Sequence, residues 1–211
     1  MNAKRLIFFD FDGVIVDSFN ILFQPIKALN PNFTPYDYRQ LFLGNVHKEI
    51  ERIVETKAVR WTNDEEFWAK YTKTLLGQSP FTGIPAAITE LGKQYPQVIV
   101  SSTIRDPIKK YLIRYDLDLY FSEILGKEAG KKKDEKIERA LTEHRILPRN
   151  SLYITDTLGD IFEAQRVGVQ SIATLWGFHD EKTLRQGNPA AIVRMPREIP
   201  EVVDRYFKHR G

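Results

Sequence analysis

Residues 5–18 read RLIFFDFDGVIVDS, an apolar run that stops at two aspartates one residue apart. Leu6 to Phe9 are consecutive and bulky, which suits a strand buried on both faces of a parallel sheet; a half-exposed strand would alternate. Asp10 and Asp12 then fall at the strand's carboxyl end, the edge where open α/β sheets bind ligands. Gly13 lets the chain turn sharply just after them.

Downstream the pattern becomes helical and aromatic. Phe19, Leu22, Phe23, Ile26 and Leu29 recur at helical spacing until Pro31, Thr34 and Pro35 break the run. A second helical stretch is predicted over 38–54, interrupted near Gly44. A third follows the capping pattern Thr62-Asn63-Asp64-Glu65, with Phe67, Trp68, Tyr71 and Leu75 on one face. With no strand pattern in it, 17–81 reads as a helical module inserted after the first strand.

From residue 82 onward, strands and helices alternate. Val98 to Val100 is a β-branched strand ending in Ser101 and Ser102, and Asp106-Pro107 then opens a helix. Ile124 and Leu125, with Tyr120 and Phe121, are short-strand or packing residues. Lys131, Lys132 and Lys133 precede a helix predicted over 134–144 with Asp134 as its cap. Ser151 to Ile154 is a third strand, running into Thr155, Asp156 and Asp160, and Ser171 to Leu175 is a fourth. Ala191 to Val193 is a fifth candidate, before a terminal helix over 200–208. The alternation predicts an α/β fold, a doubly wound parallel sheet with a small all-α insertion. Its core would comprise 1–16 and 82–211.

The 211 residues suffice for such a core, and the absence of cysteine excludes a disulfide framework, thiolate metal sites and a cysteine nucleophile. The apolar run near the amino terminus is too short for a signal-peptide core and no segment approaches spanning length, so a soluble, cytoplasmic protein with no membrane partner is expected. A net charge of +3 without a basic face or arm gives no nucleic-acid footprint. His47, His144, His179 and His209 lack metal-ligand spacing. Of the inserted module's polar residues, His47 and Lys48 could face a substrate.

If the strands are parallel, Asp10, Asp12, Ser101, Ser102, Asp156 and Asp160 meet along one edge. Carboxylates gathered there repel one another unless a cation joins them, and all-oxygen ligands select a hard ion such as Mg²⁺. A cation and a lysine together would attract a phosphoryl group.

DFDGVIVDS, with the hydroxyls at 101 and 102, the lysine run 131–133 and the carboxylates at 156 and 160, resembles the haloacid dehalogenase superfamily in its phosphatase branch. The likeness extends to Gly83-Ile84-Pro85, Leu117 to Phe121 and Trp176-Gly177, and the helical insertion falls where that family places its first type of cap, here 17–81. The resemblance implies a Mg²⁺-dependent phosphatase of a small phosphorylated metabolite, phosphoglycolate or a sugar phosphate. Asp10 matches its nucleophile and Asp12 its acid/base residue, with Asp10, the Asp12 backbone carbonyl and Asp156 as metal ligands and Asp160 as a further ligand or a support behind them. Ser101, supported by Ser102, matches the phosphate-binding hydroxyl, and Lys132 or Lys131 the phosphate-binding lysine, Lys132 slightly ahead. Two positions depart from the family pattern: Thr155 stands where glycine usually precedes the metal-site aspartate, and a run of lysines replaces Lys-Pro. A phosphomutase of the beta-phosphoglucomutase type shares every core residue named, and a regulatory relative without turnover is the other alternative.

Overall fold

A computed structural model of the chain describes residues 4–208. His209 lies outside this range. The sheet has six parallel strands in the order β3-β2-β1-β4-β5-β6, built from β1 (Leu6–Phe9), β2 (Gln97–Val100), β3 (Glu123–Leu125), β4 (Ser151–Thr155), β5 (Gln170–Thr174) and β6 (Ala191–Val193). The order reverses beside β1, which lies between β2 and β4; such a switch point opens a crevice beyond the strand ends. The expected strands are all present. Ile124 and Leu125 belong to β3, a three-residue edge strand, whereas Tyr120 and Phe121 precede it.

Every side chain of β1 is fully buried because its alternate residues enter different cores. Ile7 and Phe9 join Ile99, Leu152 and Ile154 on one face, while Leu6 and Phe8 join Val98, Val100 and Tyr153 on the other. The first face is covered by α5 (Ile84–Gly92), α6 (Arg105–Arg114) and α10 (Ile199–Lys208), which insert Ile88, Ile108, Tyr111 and Val203. The second is covered by α7 (Lys133–His144) and α8 (Leu158–Arg166) through Ile137, Ala140 and Ala164. A short α9 (Glu181–Leu184) sets Leu184 against Ile161 and Ala173.

Between β1 and α5 lie α1 (Phe19–Leu29), α2 (Pro35–Gln40), α3 (Val46–Lys57) and α4 (Glu65–Leu75), with no strand among these elements. Asp64 caps α4 by accepting from the Phe67 amide at 2.8 Å. Phe23, Ile26, Phe33, Tyr38, Leu41 and Ile53 form a separate core, closed at one end by Phe178 from beyond β5. The two chain crossings into this helical segment meet where Val16 bridges Pro80 and the Phe81 amide donates to the Ile15 carbonyl at 3.0 Å.

α7 begins one residue earlier than its sequence suggests. Lys132 occupies the N-cap position and makes no side-chain cap bond, while Asp134 sits inside the first turn. Asp134 instead accepts from its neighbour's amide and from Arg166 at 2.7 Å. The shift of one residue turns Lys133 toward the protein interior.

Candidate active site

The carboxyl ends of β1, β2 and β4 converge as the sequence implies. Asp10 is 4% exposed; its Oδ1 accepts from the Phe11 amide at 2.7 Å and its Oδ2 from Lys133 Nζ at 2.8 Å. Lys133 Nζ also donates to Asp160 Oδ2 at 2.7 Å and lies 3.1 Å from the Tyr153 hydroxyl. One buried ammonium thus joins the end of β1 to the first turn of α8.

This geometry corrects the lysine expectation. Lys131 and Lys132 turn outward to Glu51 and Glu135, at 2.8 Å and 2.6 Å, and neither reaches the carboxylates. Lys133 takes the place because it opens α7 on the same face as Lys136, Ile137, Ala140 and Leu141, all buried. That spacing, four and seven residues back from Ile137 and Ala140, was a signal present in the sequence.

Asp12 points away from the lysine. Its Oδ1 accepts from the Tyr71 hydroxyl at 2.8 Å, and its Oδ2 from Thr103 Oγ1 at 2.7 Å, with Ser101 Oγ at 3.4 Å. Ser101 Oγ accepts from the Thr103 amide at 3.0 Å, and the Ser101 carbonyl accepts from Lys136 Nζ at 2.7 Å. Ser102 is half-buried and lines the cavity. Sequence reasoning missed Thr103, two residues past Ser101, and Tyr71, which reaches Asp12 from the helical segment.

Asp160 Oδ2, engaged by Lys133, also accepts from Thr155 Oγ1 at 2.7 Å. The β-branched residue therefore supplies a buried hydrogen bond that a glycine could not. Asp156 is fully buried, its Oδ2 accepting from the Phe178 amide at 2.7 Å while Oδ1 has no partner. A Cβ on Gly13 or Gly177 would fall 2.1 Å or 2.2 Å from Asp156 Oδ2, so only glycines permit these loops to close around it. Among the described residues, no three acidic or imidazole side chains form a ready-made metal cage.

The charges do not balance. Asp10, Asp156, Asp160 and Glu163 are buried with two buried ammoniums, Lys133 and Lys136. Burial drives Asp10 well above the ordinary carboxylate range; Lys133 pulls it down and Asp160 pushes it up. Burial would raise Asp160 as well, but Lys133 and the hydrogen bonds outweigh it and hold this carboxylate below its usual value. Asp156 is pushed up to about 7 by burial, against the Phe178 amide. Burial, then Lys133, lowers Lys136 to about 8.

Above these groups a cavity of ≈ 100 Å³ opens between the sheet edge and the helical segment, lined by Asp10, Asp12, Ser101, Ser102, Lys133 and Asp160 on the sheet side. A family model for haloacid dehalogenase-like hydrolases matches residues 7–174. The chain belongs to that family. Similar proteins include a phosphoglycolate phosphatase of Aquifex aeolicus, 26% identical over 213 residues covering 96% of this chain and 98% of the relative. Another, from Synechococcus elongatus, is 23% identical over 97% of this chain and 99% of the relative. In three dimensions the chain resembles a haloacid dehalogenase-like hydrolase of Streptococcus pneumoniae, with a TM-score of 0.76 at 22% identity over 95% of this chain and 99% of that one. The parallel sheet with its helical insertion is thus the family's fold, and the chain is an enzyme of its phosphatase branch. Among the described residues no helix is long and apolar enough to cross a membrane.

The raised Asp156 value fixes a sign. A buried carboxyl whose folded pKa lies above its unfolded one stabilises the protein below the unfolded value, and that contribution is lost as pH rises through the folded value. With divalent cations chelated, the protein should melt at a higher temperature near about pH 5 than near about pH 7.5, and Asp156→Asn should narrow this difference. An undiminished difference in the variant, measured by thermal melting, would assign the slope to other groups.

Proposed function

We propose that the chain hydrolyses small phosphate monoesters in two displacements at Asp10, with residues 17–81 acting as a cap over the site. The observation that carries this reading is the buried contact of Asp10 with Lys133 at the floor of a cavity that also exposes the Asp12 carboxylate. A carboxylate of Asp10 attacks phosphorus as the bond from phosphorus to the ester oxygen breaks, and the Asp12 carboxyl gives its proton to the departing oxygen. Asp12 then takes a proton from water, which attacks phosphorus and breaks the bond to Asp10, releasing inorganic phosphate. Ser101 and Ser102 offer hydroxyls to the phosphoryl oxygens, and Lys133 offers positive charge.

Mg²⁺ fits this reading. The orphaned Asp156 Oδ1 and the raised Asp10 and Asp156 carboxyls are what a hard cation beside them would satisfy. The lack of a protein cage also suits Mg²⁺, which is commonly held by one or two carboxylates, water and phosphate oxygens. When bound it would neutralise phosphoryl charge and keep Asp10 ionised. Asp10 and Asp156 are the side chains to hold it, with Asp160 sharing Lys133 beside them; the Asp12 side chain is engaged by Tyr71 and Thr103, which leaves its backbone carbonyl as the ligand it can offer.

The test is release of phosphate from p-nitrophenyl phosphate and a panel of phosphorylated metabolites. Turnover should require Mg²⁺, stop with EDTA, and fall by at least about 10³-fold in Asp10→Asn. Turnover that survives both treatments would contradict the reading.

Tyr71 is a positioning residue here, since it holds Asp12 and takes no part in bond making. Tyr71→Phe should slow alkyl phosphates, whose leaving oxygen needs the Asp12 proton, by about 10-fold or more, and leave p-nitrophenyl phosphate nearly unchanged. Equal slowing of both esters would show a merely structural role.

A further inference from the structure

The sheet side of the cavity is polar, but the helical side is of another kind. Leu22, Phe42, Val46, Ile50, Trp61, Phe67 and Trp68 line it, all half-buried. No lysine, arginine, aspartate or glutamate from the 17–81 segment lines the cavity among the described residues. The two lysines that do come from the sheet side: Lys133, already shared by Asp10 and Asp160, and Lys127, whose Nζ lies 5.8 Å from the centre of the Trp68 ring.

The wall has a defined place relative to the reacting atoms. Trp68 precedes Tyr71 by one helical turn on α4, and their rings meet edge to face at 5.5 Å. Phe67 meets Trp68 in the same way at 5.0 Å. Because Tyr71 holds Asp12, and Asp12 faces the departing oxygen, the organic part of a substrate must leave the phosphate on the side of these rings. An ionic group there would lose its hydration with no charge from residues 17–81 to replace it, and the Lys127 ammonium at this wall is already placed by the Trp68 ring. A flat ring would meet aromatic faces and edges at the spacing such pairs prefer.

Uncharged polar residues interrupt this wall: Tyr38, Thr62, Asn63 and His47 also line the cavity. His47, second residue of α3, lines the cavity with a buried Nε2 that has no partner. Burial and the surrounding lysines hold the imidazole neutral. It can give or take one hydrogen bond from a ring heteroatom or hydroxyl.

We propose that the site takes phosphate monoesters whose organic part is an uncharged aromatic or heteroaromatic ring close to the ester oxygen, seated against Trp68 and Phe67. The inference rests on the phosphomonoester reading above and narrows it away from carboxylated substrates such as phosphoglycolate.

Binding of unreactive phosphonates separates the two readings. The Mg²⁺-loaded protein is titrated calorimetrically with benzylphosphonate, phosphonoacetate and methylphosphonate. Benzylphosphonate should bind about tenfold or more tighter than methylphosphonate, as expected of one good ring pair, and phosphonoacetate should gain nothing. Trp68→Leu, which keeps apolar volume and removes the ring, should bring benzylphosphonate close to methylphosphonate while methylphosphonate itself binds as before, which shows the phosphate site intact. Lys127→Met should leave benzylphosphonate unaffected. Phosphonoacetate binding tighter than benzylphosphonate and weakened by Lys127→Met would overturn the proposal, as would equal affinity for all three. Failure of every phosphonate to bind would overturn the phosphomonoester reading and the proposal together.

Discussion

The Lys133 ammonium, held between Asp10 at 2.8 Å and Asp160 at 2.7 Å, is the contact on which the rest of the site depends. It joins three elements that share no sequence neighbourhood: the end of β1, the start of α7 and the first turn of α8. A lone buried ammonium would be driven to neutrality, but the two carboxylates outweigh burial and keep it protonated beyond the ordinary lysine range. The arrangement is costly to dismantle by halves. Removing one partner of a buried ion pair commonly costs about 3–5 kcal/mol because a charge is left uncompensated. Tyr153 and Thr155, both on β4, complete the cage around Asp160 and give this strand a polar function at its buried end.

The same economy of space governs how the helical segment meets the sheet. A Cβ on Gly159 would stand 2.1 Å from the Gly44 carbonyl oxygen, and the Gly159 amide donates to the Phe42 carbonyl at 2.8 Å. Asn45 donates to Glu163 at 2.9 Å, and Arg39 Nε to the Phe178 carbonyl at 2.8 Å. These contacts, together with Tyr71 on Asp12, set the loop between α2 and α3 down on the first turns of α8. Small residues and single hydrogen bonds make up this contact between the helical segment and the sheet.

The fold was legible because its signals are local. Apolar runs ending at Asp10, at Ser101 and, through Thr155, at Asp156 mark strands buried on both faces, and the periodic apolar residues from Phe19 to Leu75 mark helices. The lysine was less legible. Identical side chains at 131, 132 and 133 differ only in which way the first turn of α7 carries them, and taking Asp134 for the cap moved that turn by a residue. The buried face through Lys133, Lys136, Ile137 and Ala140 held the answer. Thr103 and Tyr71 carried no such mark, since their roles arise from packing: Tyr71 is 59 residues from Asp12 along the chain. A tyrosine on an apolar helical stripe reads as core, which this one also is.

Of the three consecutive lysines, Lys133 organises the site. The most direct measurement compares Lys131→Met, Lys132→Met and Lys133→Met for turnover of p-nitrophenyl phosphate and for the urea midpoint of unfolding. Lys133→Met should abolish turnover and lower stability by about 3–5 kcal/mol, while Lys131→Met and Lys132→Met, which break only exposed pairs, should leave both turnover and the urea midpoint nearly unchanged. Full turnover in Lys133→Met, or its loss in Lys132→Met alone, would contradict the arrangement described.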